Sequence, residues 1–307
     1  MTTNQDLTPD DKLYEDEFDL REALSIIWSS KNLIFLFAAI SFMSFVIYAV
    51  SLPNIYSSNA LLKINDTKNE NAFSNLASSY SGLASMVGVS LQNEPNSKTN
   101  LVIATINSRD FFQHLSSFED VLPNLFAIKG YEEDTKRNVY DTNIYDPEKG
   151  GWQISKPSLM EVHEKYLETL SASVDPDTGF ISLSVDHLSP NFAFYLSELT
   201  IKEANNVLRS KQLEESIRAQ DFLNLQLSKS SKIEVRQSIT QLLEAQLQIQ
   251  MLADVREDYI LSPIDKAYLP LEESGPNRFK ISFLGLLLGL GIGIFISLIK
   301  FYFTQKR

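Results

Sequence analysis

Two long apolar stretches, one near each end of the chain, dominate the pattern of hydrophobic and polar residues. One runs from Leu33 to Leu52 and the other from Ile281 to Ile299, and neither contains a charged side chain. A helix of either length measures about 30 Å, which is the thickness of the hydrocarbon layer of a bilayer. Because both stretches are uncharged on every face, they predict two transmembrane helices rather than buried helices of a soluble core.

The first stretch is predicted to be a retained membrane anchor. The 32 residues before it carry eight acidic and three basic side chains, whereas a signal peptide begins with a short basic segment. Five Lys and Arg residues lie near the stretches on the side of the two chain ends, and five lie on the side of the segment between the stretches. The positive-inside rule therefore leaves the orientation of the chain open.

Between the anchors, alternation with a period of two predicts an antiparallel hairpin. Ile181, Leu183 and Val185 alternate with polar residues and follow a turn sequence at 175–179. This pattern is typical of a half-buried strand, which is expected to pair with the segment 170–174.

Two further strands are predicted next to the anchors, where they would pair with each other. One lies at 57–64, and the other lies in the Pro-rich approach to the second anchor, where helix-breaking residues exclude a long helix. The segment 134–153 is predicted to be polar and rich in turns. The residues that mark the Pro-rich approach are Pro263, Pro270 and Pro276.

A long helical hairpin is predicted between these strands. Ser189 is a suitable N-cap and Pro190 a suitable first helical residue, and neither Gly nor Pro occurs again before Pro263. A break is predicted at 228–232, where helix propensity falls. The first helix would then reach about 58 Å, which is too long for a compact globule and indicates an arm.

The second helix of this arm is predicted to carry an apolar face. That face needs a partner, either the first helix or a neighbouring subunit. The residues that form it in this interpretation are spaced by four, namely Ile239, Leu243, Leu247, Met251 and Val255.

Glycine recurs at every fourth position of the second anchor, at Gly285, Gly289 and Gly293. Residues four apart lie on one helix face, and small residues there allow the close backbone contact that holds helices together in lipid. The pattern therefore predicts helix packing, either against the first anchor or against a neighbouring copy of the chain.

Composition excludes several classes of function. The chain has 307 residues, a net charge of −12 and no cysteine, which argues against nucleic-acid binding and excludes disulfide and thiolate chemistry. His114, His163 and His187 are scattered and do not have the spacing of a zinc motif. We therefore predict no catalytic residue, cofactor or metal site.

Six segments occur in an order and spacing that resemble the Wzz family of polysaccharide co-polymerases, the O-antigen chain-length determinants. The segments are FDLREALSIIWSSKNLI, LPNIYSSNALLKI, SYSGLASMVGVSL, VDHLSPNFAFYLSELTIKEANNVLR, LLEAQLQIQMLADVREDYILSPIDKAYLP and the glycine-bearing second anchor. The resemblance implies a Gram-negative inner-membrane protein that forms ring-like homo-oligomers, has no catalytic residues, and sets the number of glycan repeats added by the Wzy polymerase to a lipid-linked glycan.

The expected fold is an α+β membrane protein, in which two transmembrane helices flank a periplasmic α/β base with a long helical hairpin arm. The domains are a cytoplasmic tail with an amphipathic segment at 1–32, transmembrane helices at 33–52 and 279–299, a periplasmic domain at 53–278 and a cytoplasmic tail at 300–307. Within the periplasmic domain, the base comprises 53–188 and 258–278 and the arm comprises 189–257.

Two other functional interpretations follow from the same features. The related capsule and exopolysaccharide branch works with a tyrosine kinase, so a regulator paired with a separate kinase is the alternative. A two-span sensor is disfavoured, because the eight residues after the second anchor are too few for a signalling domain.

Overall fold

A computed structural model describes Trp28 and residues 30–65, 97–149, 151–255 and 258–305. The chain divides into two units, one made of residues 1–52 and 276–307 and the other of residues 53–275. The predicted amphipathic segment, apart from Trp28 and residues 30–32, and the loop that contains SYSGLASMVGVSL lie outside the described residues.

The first unit pairs the two apolar helices, α1 (Lys31–Ser51) and the final helix α8 (Arg278–Gln305). Both are long and apolar enough to cross a membrane. The final helix is longer than the predicted span 279–299 and includes most of the predicted tail 300–307. The reason is that no Gly or Pro follows Ile299 to stop it.

The second unit mixes helices and strands. Its described elements are β1 (Tyr56–Ile64), α2 (Ser97–Ile106), α3 (Arg109–Leu115), α4 (Val121–Phe126), β2 (Ile128–Glu132), β3 (Arg137–Tyr140), β4 (Tyr145–Asp146), β5 (Gly151–Trp152), α5 (Leu159–Thr169), β6 (Leu170–Val174), β7 (Ile181–His187), α6 (Pro190–Lys229), α7 (Ile233–Val255) and β8 (Leu261–Asp265). The predicted fold class, mixed α and β with a long helical hairpin between two apolar helices, is confirmed.

An antiparallel sheet of order β6–β7–β1–β8 forms the base of this unit. The predicted hairpin is confirmed, with Leu170 opposite Val185 and Val174 opposite Ile181. The predicted pairing of the first and last strands is also confirmed, with Ile64 opposite Leu261. The alternating residues Ile181, Leu183 and Val185 are all fully buried, because one face of the sheet is covered by helices.

The core lies between that face and the helices α2, α3, α5 and the first half of α6. Side chains from the sheet and from these helices form one continuous apolar cluster, and Phe112 and Tyr166 pack ring to ring at 5.0 Å. The fully buried members include Leu62, Ile106, Phe112, Leu115, Tyr166, Leu183 and Leu196.

The prediction of a turn-rich segment at 134–153 was incomplete, because three short strands lie in it and take part in two hairpins. One pairs β2 with β3 and the other pairs β4 with β5. Tyr145 holds the second hairpin through edge contacts with Tyr140 and Trp152, each at 5.4 Å between ring centroids. Strands of two to five residues are too short for a visible alternation, so only the aromatic residues signal them.

His187, at the end of β7, is a buried hydrogen-bonding residue of the base. Its Nε2 lies 3.0 Å from the carbonyl oxygen of Asn124, and the backbone N–H of Ser189 donates to its Nδ1 at 3.0 Å. These two contacts fix the neutral ring with the proton on Nε2. Burial disfavours the charged form and lowers the pKa of His187 to about 4.

This burial predicts acid sensitivity between pH 6.5 and pH 4. The unfolded chain takes up the His187 proton near pH 6.5 and the folded chain only near pH 4, so the stability that neutral His187 contributes is complete above pH 6.5 and falls with pH. The loss reaches on the order of 3 kcal/mol. Denaturant unfolding of the detergent-solubilised protein across this range should show a steeper decline for the wild type than for His187→Gln. Equal slopes would contradict the prediction.

Candidate functional site

The glycine face of α8 packs against α1. A Cβ added at Gly289 would lie 2.7 Å from Cβ of Ser41 and 2.8 Å from Cα of Ala38, and one added at Gly293 would lie 2.9 Å from Cα of Ile34. These distances are too short for any side chain. The backbones of the two helices therefore approach each other as closely as they do because these positions are glycine.

Gly285 is the third glycine of this face, and its carbonyl group accepts a hydrogen bond from α1. An added Cβ there would overlap the side chain of Phe45, and the hydroxyl of Ser41 donates to the carbonyl oxygen of Gly285 at 2.7 Å. Ser297, the next residue at a spacing of four, is also buried. Of the two partners that the sequence left open, the glycines face the first anchor of the same chain.

Gly289→Leu should force α1 and α8 apart and destabilise the helix pair by about 1–3 kcal/mol, because overpacking cannot be relieved against backbone atoms. Gly291→Leu is the matched control, since a Cβ there meets no heavy atom within 4 Å. The unfolding temperature in detergent should fall for the first variant only. Equal unfolding temperatures for both variants would show that the glycine contacts do not stabilise the pair.

The arm begins at the predicted Ser-Pro pair. The hydroxyl of Ser189 accepts a hydrogen bond from the N–H of Phe192 at 3.4 Å, and Pro190 is the first residue of α6. Both residues are buried. At 40 residues, α6 is about 60 Å long, so its second half extends beyond the core of the base.

The second half of α6 forms the hairpin with α7. Leu223 of α6 packs with Ile239 and Leu242 of α7 in a small apolar cluster. Nearer the base, the hydroxyl of Ser216 donates to the side-chain oxygen of Gln246 at 2.8 Å, and both residues are buried. The hairpin is thus held by one apolar cluster and one polar pair.

Arg236 stabilises the turn between α6 and α7. This turn lies where the break was predicted, at 228–232. The Nη1 of Arg236 donates to the carbonyl oxygens of Leu227 at 2.8 Å and Ser230 at 3.3 Å. These acceptors belong to the end of α6, where carbonyl groups have no partner within the helix. This role could not be predicted from the sequence, because an exposed arginine on a helix is ordinary.

The predicted apolar face of α7 needs correction. Ile239 is buried and Leu243 is half-buried, but Leu247, Met251 and Val255 are 50%, 67% and 82% exposed. A spacing of four drifts by about 40° per step, so Val255 lies about 160° around the helix from Ile239. From Ile239 the buried positions instead follow a three-residue and then a four-residue step to Gln246. The buried residues of α7 are Ser238, Ile239, Leu242, Gln246 and Ala253.

The Pro-rich approach forms an edge strand followed by extended chain. Pro263 lies in β8 opposite Leu62. An edge strand tolerates proline, which has no backbone N–H, because the side of the strand that faces away from the sheet needs no donor. Pro270 is buried. At the end of the approach, Ile55 exchanges backbone hydrogen bonds with Gly275, the residue before Pro276.

An open groove of about 720 Å³ lies on the base and is lined by both apolar and hydrogen-bonding groups. Tyr56 and Tyr131 meet edge to face there at 6.0 Å, and the Tyr56 hydroxyl donates to Glu133 at 2.5 Å. Burial, together with this carboxylate, raises the pKa of Tyr56 to about 12. Glu272 and Glu273 also line the groove, which gives it an acidic and hydroxyl-bearing surface.

The three histidines each have a partner. His114 lies 2.6 Å from the Glu203 carboxylate, His163 lies 3.1 Å from the carbonyl oxygen of Asn107, and His187 is described above. Among the residues that the structure describes, no group of three or more His, Asp or Glu side chains could hold a metal ion.

The chain combines two helices that are long and apolar enough to cross a membrane with an α+β unit that carries a helical hairpin. A family model matches part of it. Residues 16–117 match the model of Wzz, chain length determinant protein. This segment includes α1, β1, α2 and α3 and covers about a third of the chain. The matched family is the one that the sequence resembles. The family comprises membrane-associated chain-length regulators and is not a known catalytic family.

Solved structures of similar proteins carry related descriptions. A full-length bacterial polysaccharide co-polymerase is 11% identical, with a TM-score of 0.40, and the match covers 94% of this chain and 99% of that chain. A fragment of WzzB, a polysaccharide co-polymerase from Salmonella Typhimurium, is 15% identical, with a TM-score of 0.31 and coverage of 72% and 100%. No curated protein sequence matches the chain at a significant level.

Proposed function

We propose that the protein is a non-enzymatic, oligomeric scaffold in the bacterial inner membrane that regulates O-antigen chain length together with the Wzy polymerase. The observation that carries this proposal is the Wzz match at 16–117. The second apolar helix, α8, lies outside that match and supports it by supplying a second anchor that packs closely on the first. With both ends anchored, the region 53–275 would lie in the periplasm.

Self-association is supported by the apolar surface of α7. Leu247, Met251 and Val255 expose half or more of their side chains to solvent, although a polar residue would be more soluble at each position. Exposed apolar residues along one stretch of a helix are typical of a surface that another protein covers. A second copy of the chain is the partner expected in an oligomeric scaffold.

The acidic groove on the base supports contact with the glycan. Sugars bind through hydrogen bonds from their hydroxyl groups and through apolar contact with their ring faces. The groove offers carboxylates at Glu133, Glu272 and Glu273 and an exposed apolar side chain at Leu271. A lipid-linked glycan held there would remain near the polymerase while it grows.

Deleting the gene should abolish the modal band of surface lipopolysaccharide on a gel and leave a distribution that declines with length. Plasmid-borne wild-type protein should restore the band. If lipopolysaccharide is unchanged and capsule or exopolysaccharide changes instead, the O-antigen assignment is wrong and the alternative, a regulator paired with a separate tyrosine kinase, takes its place. An unchanged surface polysaccharide of every kind would contradict both.

Met251→Glu should weaken the oligomer, because it places a charge in the middle of the exposed apolar surface of α7. The control is Gln241→Glu, an exposed polar position about 80° around the same helix. Light scattering in detergent should show that the protein concentration at which half of the oligomer dissociates is at least tenfold higher for Met251→Glu. This difference is equivalent to about 1.4 kcal/mol. Identical oligomers for the two variants would exclude this surface as a subunit contact.

A further inference from the structure

The arm joins the base through two legs that meet at a single asparagine. The outgoing leg is α6, which leaves the core after Leu208, and the returning leg is the segment 258–262 that enters β8. Asn205 lies on α6 where the two legs cross and is buried, with 3% of its surface exposed. A buried amide side chain is unfavourable unless its donors and acceptor find partners.

Asn205 finds those partners on the returning leg. Its Nδ2 donates to the carbonyl oxygen of Leu261 at 2.9 Å, and its Oδ1 accepts from the N–H of Leu261 at 2.8 Å and the N–H of Ile260 at 3.1 Å. The N–H and C=O of one residue in an antiparallel strand point to the same side. The side-chain amide therefore pairs with the outer edge of β8 as a neighbouring strand would.

The other side of the returning leg is held by the end of β1. The backbone N–H of Asn65 donates to the carbonyl oxygen of Ile260 at 2.8 Å. Its side-chain Nδ2 donates to the carbonyl oxygen of Asp258 at 2.8 Å and to the hydroxyl of Ser262 at 2.6 Å. The returning leg is thus fixed from the sheet by Asn65 and from the arm by Asn205.

We propose that Asn205 is a positioning residue that clamps the two legs together and thereby sets the direction of the arm relative to the base. Asn205 is the residue through which side-chain hydrogen bonds connect α6 directly to the backbone of β8 in the described part of the chain. The proposal that arm direction affects polysaccharide length rests on the proposed function; the clamp itself does not.

A small rotation of α6 at Asn205, the root of the arm, produces a large displacement at the far end of the arm, its tip. Lys229, at the end of α6, is 24 residues beyond Asn205, or about 36 Å along the helix. A rotation of about 10° at the root would displace the tip by about 6 Å. If neighbouring arms must meet in an oligomer, such a displacement would misplace their contacts without unfolding either chain.

Spin labels measure this displacement directly, because the chain has no cysteine. Lys229→Cys on the arm and Asp177→Cys on the exposed turn of the β6–β7 hairpin provide two labelling sites in the same unit. Double electron–electron resonance on the full chain in detergent gives the distance distribution between them. The distribution is compared among the protein that carries only the two cysteine substitutions and the same protein with Asn205→Leu, Asn205→Asp or the control Asn206→Ala.

Asn205→Leu removes all three hydrogen bonds. Asn205→Asp retains the acceptor for both N–H groups but replaces the donor with a carboxylate oxygen that faces the carbonyl oxygen of Leu261. Asn205→Asp therefore keeps the test valid if Asn205→Leu does not fold. Asn206 is a matched control because its side chain bonds to Glu203 and Arg209 within its own helix. Both Asn205 variants should broaden or shift the distribution, by about 6 Å for a rotation of about 10°, while Asn206→Ala should not.

The same variants are then compared for polysaccharide length at equal protein level. A shifted distance distribution with an altered modal length supports the whole proposal. A shifted distribution with an unaltered modal length overturns the link to length, and an unchanged distribution in both Asn205 variants overturns the clamp. Failure of the proposed function is recognised separately, because wild-type protein would then not impose a modal length at all.

Discussion

The second unit depends on the pairing of β1 with β8, two strands that stand about 200 residues apart in the sequence. Opposite pairs such as Leu62–Pro263 and Ile64–Leu261 close this long loop at the sheet, and the Ile55–Gly275 bridge extends the closure to the ends of the unit. The entropic cost of closing a loop grows only slowly with its length. The insertion between these strands is also held by the pairing of β7 with β1, and the helical arm is part of that insertion.

Closure of the sheet creates a second requirement, because β8 becomes an edge with unpaired backbone groups. Proteins must cover, shorten or charge such edges. Here Pro263 removes one donor, and the amide of Asn205 satisfies the groups of Leu261. The edge that the closure leaves open is therefore the place where the arm attaches. Edge protection and arm attachment are served by the same contacts.

The sequence allowed the fold class to be predicted where the physical signal was strong and local. Uncharged stretches, the alternation at Ile181–Val185 and the absence of Gly and Pro after Pro190 each exclude other structures. The apolar face of α7 was predicted in part wrongly, because a spacing of four fits a helix only over short lengths. Asn205 could not be found, since its role depends on a strand 56 residues away in the sequence.

The interior of the arm includes polar residues, and its exterior includes exposed apolar residues. Its inward residues include the polar pair Ser216–Gln246, and the Nε2 atoms of Gln220 and Gln250 are buried without a hydrogen-bond partner among the described residues. Buried polar groups fix register but contribute less stability than apolar packing. Outward-facing Met251 is meanwhile exposed to solvent. A hairpin with this distribution would gain stability when its outer face is covered, as it would be in the proposed oligomer.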